Sequence, residues 1–171
     1  DARRVERALH IASFKSARYS VQQPLLIGAA MAGASEHQIA ALRDFGHDVG
    51  VAFQLRDDVL GVFGRPEITG KPAGDDLREG KRSALIALTL RELPVASART
   101  VEELLGDPDL TTEQVSVLQE TIRASGALQR VEEIISEYSQ RADRALTGAP
   151  LMHSAVGALR DLARRSVDRV A

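Results

Sequence analysis

The 171 residues predict an all-α chain, and three observations carry that prediction. Apolar residues recur at three- and four-residue spacing nearly throughout. No run alternates apolar with polar as a half-buried strand does. Helix-opening capping patterns also punctuate the chain. The length suits one compact domain, able to bury about 70% of the surface of the unfolded chain. Aromatic residues are only 4% of the total, so Leu, Val, Ile and Ala must supply the core.

Residues 1–33 carry apolar residues at Val5, Leu9, Ala12, Val21, Leu25 and Gly28 in a helical pattern. A kink or break is expected before Pro24, because a proline ring clashes with the preceding turn. Ser35-Glu36-His37-Gln38 reads as a capping box, opening a long helix striped by Ile39, Leu42, Phe45, Val49, Ala52 and Phe53. Gly46 and Gly50 lie one turn apart on it. Exposed glycines there would cost about 1 kcal/mol each against alanine, so a close backbone approach is predicted.

From Gly64 to Gly80 the helical pattern stops, in a segment with four glycines and two prolines. A loop of that length inside a compact domain is usually functional or disordered. Thr100 with Glu103, and Thr111 with Gln114, read as two more capping boxes. Ser125-Gly126 closes the helix that Thr111 opens. Residues 127–147 and 151–170 supply two further amphipathic helices.

Composition excludes several function classes. The formal net charge of -2 offers no basic excess for neutralising nucleic-acid phosphates. Zero cysteines exclude disulfides, thiolate zinc sites and cysteine nucleophiles, and fit a reducing cytoplasm. The most apolar stretch, Pro24 to Ala34, is far shorter than the roughly 20 residues that span a bilayer. Ala2 to Arg7 is too charged for a signal peptide, and the chain opens on Asp1 rather than methionine, which suggests a piece of a longer protein. Of 22 basic residues 19 are arginine, and the lysines are Lys15, Lys71 and Lys81 alone.

The chemistry concentrates in Phe53-Gln54-Leu55-Arg56-Asp57-Asp58-Val59-Leu60-Gly61 and in Gly70-Lys71-Pro72-Ala73-Gly74-Asp75-Asp76-Leu77-Arg78-Glu79-Gly80-Lys81. Adjacent carboxylates on an apolar helix repel each other, and burying either uncompensated is expensive. A divalent cation cancels that cost, and carboxylate oxygens suit Mg²⁺, which typically bridges protein carboxylates to phosphates. Gln54, three and four residues before Asp57 and Asp58, shares their helix face. Lys71 and Lys81 add compact positive charges suited to phosphate. Metal, carboxylate and lysine together describe a diphosphate site. The residues alone leave open a solvated acidic helix end followed by a charged, flexible loop.

Phe53-Gln54-x-x-Asp57-Asp58, Thr69-Gly70-Lys71-Pro72 and Asp75-Asp76-Leu77-Arg78-Glu79-Gly80-Lys81 resemble the second aspartate-rich region of trans-type polyprenyl diphosphate synthases, which include geranylgeranyl and farnesyl diphosphate synthases. Phe14-Lys15-Ser16-Ala17 resembles that family's Lys-Thr-Ala motif, with serine for threonine. The likeness runs from about residue 5 to the C-terminus.

The resemblance implies an isoprenoid synthase-type helical bundle, represented by its C-terminal half over residues 1–171. It also implies a prenyltransferase that ionises an allylic diphosphate, adds isopentenyl diphosphate and loses a proton. Three Mg²⁺ ions are expected in the intact enzyme, along with a cytoplasmic homodimer that has no transmembrane segment and no nucleic-acid partner. By the same resemblance Asp57 is the direct metal ligand and Asp58 its support. Lys15, Lys71 and Lys81 bind diphosphate, and Ser16 and Gln54 set oxygen dipoles near the allylic cation. Asp76 is the acid of a closing loop, with Asp75 as the competing register.

Two departures follow from the same match. Gly61 stands where the motif usually has its last aspartate, and the first aspartate-rich motif has no counterpart in these residues. A fragment inactive alone is therefore expected. A non-catalytic regulatory subunit remains a rival reading, as does, further off, a terpene cyclase of the same fold. Asp44-Phe45-Gly46 sits within a helical run, which removes its kinase meaning, and Gly64 to Lys71 fails the P-loop spacing. His10, His37, His47 and His153 show no metal spacing and read as surface residues. Arg164-Arg165 reads as a solvated helix face.

Overall fold

The computed structural model describes residues 2–70 and 72–168, without the side chains of Ala2, Lys15, Ile68 and Thr69. Among the described residues there is no strand, so the all-α expectation holds. The helices in chain order are α1 (Ala2–Ala12), a π-helical segment (Ser13–Gln22), α2 (Gln23–Met31), α3 (Glu36–Phe63), α4 (Pro66–Thr69) and α5 (Asp75–Arg78). There follow α6 (Ala84–Glu92), α7 (Val95–Leu104), α8 (Thr112–Ala124), α9 (Ala127–Leu146) and α10 (His153–Val167). No helix among the described residues is long and apolar enough to cross a membrane.

The chain divides into two compact units. One holds residues 10–56 and 134–168 of the described chain. Its core joins Phe45 and Val49 of α3 to Ala142 and Leu146 of α9, with Leu159 and Ala163 of α10 packed alongside. The glycine expectation is met here. A Cβ at Gly50 would overlap the Ala17 backbone, and one at Gly46 would lie 2.9 Å from Gln22 Cα. Gln22 then donates from Nε2 to the Arg43 carbonyl at 2.9 Å, satisfying a buried amide.

The break expected before Pro24 is instead a change of bonding register within a continuous helix. The Gln23 N–H bonds back five residues to Arg18 O, after which α2 resumes with Pro24 in its first turn. Proline lacks an N–H, and its ring clashes with the carbonyl four residues back in an α turn. A π turn upstream displaces that carbonyl. Helix α2 is mostly apolar yet buries none of its residues, with Met31 85% exposed.

The other unit holds residues 2–9 and 57–133 of the described chain. Val59, Val62, Leu77, Leu85, Ile86, Leu88, Leu118, Ile122 and Val131 are all buried in it. The last carbonyls of α3 lack intrahelical donors. Gln119 Nε2 supplies one to Val62 O at 2.6 Å, and the Gly64 N–H another to Leu60 O at 2.8 Å.

Three local expectations were tested by hydrogen bonds. The Ser35–Gln38 box forms, with the Ser35 N–H donating to Gln38 Oε1 at 2.8 Å and the Gln38 N–H to Ser35 Oγ at 3.4 Å. The Thr111–Gln114 box forms as well, and Gly126 follows the helix at φ 77°. The Thr100–Glu103 box does not. Pro94 opens α7 earlier, which leaves Thr100 in mid-helix, where its hydroxyl donates to Ala96 O at 3.3 Å.

Segment 64–80, expected to be irregular, contains the one-turn helices α4 and α5, and its second half is docked. Leu77 is fully buried, and the Gly106 N–H donates to Leu77 O at 2.9 Å. Gly80 approaches the Gly106 backbone so closely that a Cβ at Gly80 would lie 2.9 Å from Gly106 Cα. Arg78 donates to Ala73 O at 2.8 Å and also to Leu110 O.

Candidate active site

Helix α3 carries Gln54 and, one turn further on, Asp57 and Asp58. Ser16, from the π-helical segment, donates its hydroxyl proton to Gln54 Oε1, a contact the sequence did not announce. The Lys15 side chain and the whole of Lys71 lie outside the described residues.

Around Asp57 and Asp58 the residues make a compact charged cluster. Lys81 Nζ lies 3.0 Å from Asp58 Oδ1, 2.9 Å from Asp76 Oδ2 and 3.9 Å from Asp57 Oδ2. Asp58 and Asp76 are buried, whereas the Asp57 side chain is 50% exposed. Two buried carboxylates are tolerable only because a charged donor reaches both. Burial of Lys81 would by itself lower its pKa. The Asp58 carboxylate and the hydrogen bonds to Asp76 and Asp58 outweigh that and hold the ammonium above the usual lysine range. The ammonium therefore stays charged at any physiological pH.

The location of Asp76 follows from its backbone. Gly74, at φ 73°, turns the chain into α5, and Leu77 anchors the turn in the core. The Lys81 N–H donates to Asp76 O at 3.0 Å, fixing acid and base together. Of the two competing acids, Asp76 faces the cluster and Asp75 is the more exposed. Asp76 also reaches Gly61, where a Cβ would overlap its carboxyl carbon and both oxygens. Sequence reasoning registered Gly61 only as a missing acid. The signal that it is filled space lies fifteen positions downstream, at Asp76.

Among the described residues, no three acidic or histidine side chains are grouped to hold a metal ion by themselves. Asp57 still offers hard oxygen donors to solvent, beside the buried Asp58 and Asp76. Mg²⁺ retains several waters and uses one or two protein carboxylates together with phosphate oxygens, so this donor set fits it. Lys81 spends two of its three N–H donors on Asp58 and Asp76.

One histidine departs from the surface reading. His47 Nε2 lies 2.9 Å from Ser13 Oγ, and its Nδ1 lies 3.0 Å from the buried Asp48 Oδ1. The residue types are those of a hydrolytic triad. Arg141 nevertheless shares Asp48 at 3.1 Å, and Ser13 sits in a helical run whose N–H groups are spent on backbone bonds. No donors then stabilise an oxyanion, and the chain of bonds serves to satisfy a buried carboxylate. His10, His37 and His153 are exposed, as are Arg164 and Arg165.

Comparison with known proteins gives a consistent answer. Residues 1–123 match the family model described as polyprenyl synthetase. The geranylfarnesyl diphosphate synthase of Aeropyrum pernix is 36% identical over 124 residues, covering 72% of this chain and 38% of that protein. The geranylgeranyl pyrophosphate synthase of Corynebacterium glutamicum, solved with isoprenyl diphosphate and magnesium, superposes with a TM-score of 0.93 at 44% identity. That alignment covers 97% of this chain and 47% of the other. The polyprenyl synthase of Caulobacter crescentus, solved with calcium and isoprenyl diphosphate, gives a TM-score of 0.83 at 34% identity, covering 96% and 49%. The chain thus spans 38% of the Aeropyrum relative and about half of each of these solved chains. With its family model matched over most of its length and its helical fold shared, the chain belongs to the polyprenyl synthetase family.

Proposed function

We propose that this chain carries the second aspartate-rich half of a prenyltransferase that joins isopentenyl diphosphate to an allylic diphosphate. The allylic C–O bond breaks and diphosphate leaves. The isopentenyl double bond then forms the new C–C bond, and a proton is lost to restore the alkene. The observation that carries this reading is the Asp57–Asp58–Asp76–Lys81 cluster at the end of α3.

Asp57, half-exposed, would hold Mg²⁺, with Asp58 behind it, and three ions are expected when both aspartate-rich motifs are present. Such a cation, when bound, neutralises charge developing on the departing diphosphate. Lys81 fixes Asp58 and Asp76 and is assigned to the departing diphosphate. Lys15 and Lys71 are assigned to the same diphosphate. Gln54 and Ser16 present oxygen dipoles where allylic positive charge develops, and such preorganised dipoles are often the largest catalytic term. The uncovered apolar helix α2 supports the view that these residues form one part of a larger helical body, a cytoplasmic homodimer when intact. The chain alone is expected to be inactive.

The docked Asp76 beside Gly61 weighs against a decayed, regulatory role, since position 61 is filled by an acid from another helix. The test is Mg²⁺-dependent elongation of an allylic diphosphate by the protein that carries this chain. Asp57→Ala should lower the rate by orders of magnitude, and an unchanged rate refutes the assignment.

A further inference from the structure

The motif on α3 is short of one carboxylate at Gly61, yet the space beside Gly61 already holds one. We propose that Asp76 supplies from α5 the acid that α3 lacks, and that Gly61 has to be glycine to admit it. The inference rests on the reading of Asp57 and Asp58 as metal-holding carboxylates.

Steric exclusion is the first argument. A Cβ at position 61 would overlap Asp76 Cγ, Oδ1 and Oδ2, so any side chain at 61 and the present Asp76 carboxylate exclude each other. The second is that Asp76 is held in place rather than passing by. It is 7% exposed, it follows the left-handed Gly74, it precedes fully buried Leu77, and it takes Lys81 on both its side chain and its carbonyl. An acid on a loop with no task at this point would gain by turning to solvent, because burying a carboxylate is costly. The third argument is proximity. Lys81 lies within 4 Å of Asp57, Asp58 and Asp76, so the three carboxylates form one group around it. The solvent-open Asp57 of that group is where a divalent cation would be held.

The pair is tested in the protein that carries this chain, with Mn²⁺ as the probe and its free concentration read by electron paramagnetic resonance. Thermal melts without metal report folding independently. Asp57→Ala should weaken Mn²⁺ binding most. Asp76→Asn should weaken it by about 10–100-fold, the range typical of groups that support metal ligands. Gly61→Ala should match Asp76→Asn, and the double variant G61A/D76N should be no worse than either alone, because both changes remove the same carboxylate. The swap G61D/D76A should recover most of the lost affinity. Unchanged binding in Asp76→Asn beside a loss in Asp57→Ala overturns the proposal, as do losses that multiply in G61A/D76N or a folded swap with no recovery. If the swap does not fold, the G61A/D76N comparison decides by itself. Unchanged binding in Asp57→Ala removes the metal reading and this inference together, a result distinct from the others.

Discussion

Helix α3 uses glycine in two opposed ways along its length. Towards its middle, Gly46 and Gly50 remove side chains so that the backbone of the π-helical segment can lie against α3, at Gln22 and Ala17. Near its C-terminus, Gly61 removes a side chain so that a carboxylate can enter. The first pair relieves a contact between backbones that cannot yield. The last relieves a contact with a side chain that could in principle move, at the expense of the charge cluster it belongs to. Equal residue types on one helix therefore carry different liabilities, structural at 50 and chemical at 61.

The sharpest way to break that contrast is Gly50→Ala. Its Cβ would meet backbone, so a loss of about 3 kcal/mol is expected, a drop in melting temperature on the order of 6–12 °C. A melt within 2 °C or so of the parent would show that the approach is not rigid. Gly61→Ala should reverse the pattern, with a melting temperature lowered by only about 2–6 °C but elongation activity cut on the order of 100-fold. An inactive protein that has also lost its cooperative melt would erase the distinction. Gly46→Ala should be milder than Gly50→Ala, about 1–2 kcal/mol, because its nearest neighbours include the flexible Leu25 side chain. Smallest is a pH effect. The pKa of Lys81 is raised above the ordinary value of 10.5, so its ion pairs contribute fully below that value and fade only as pH climbs past it. The difference in melting temperature between the parent and Lys81→Met should hold constant between about pH 7 and pH 9. A difference that shrinks across that window would mean that the ammonium is not held as described.

These cases also show what the sequence could and could not disclose. The boxes at Ser35 and Thr111 were legible because every participating atom lies within four residues. The identical pattern at Thr100 misled because Pro94, outside that window, had already started the helix. The spacing of Gly46 and Gly50 announced a close approach, since unsupported glycines in a helix have no other benefit. The partnership of Gly61 with Asp76 was invisible for the converse reason. It depends on Leu77, Arg78 and the Gly80–Gly106 contact folding a glycine-rich segment back onto α3, and none of these has a local signature. His47 was misread likewise, since Ser13, Asp48 and Arg141 converge on it and its partner acid from three helical segments.

The π-helical segment has a consequence for how the chain tolerates insertions and deletions. A π turn holds more residues than an α turn over the same path, so Ser13–Gln22 stores surplus chain. Removing one residue there can be absorbed by tightening the bonds from five residues back to four. In α3 a deletion ahead of Gln54 would rotate that residue by about 100°, and Gln54 would no longer meet Ser16. The helix bearing the acids is fixed in length to the residue, whereas the helix bearing Lys15 and Ser16 has slack built into it.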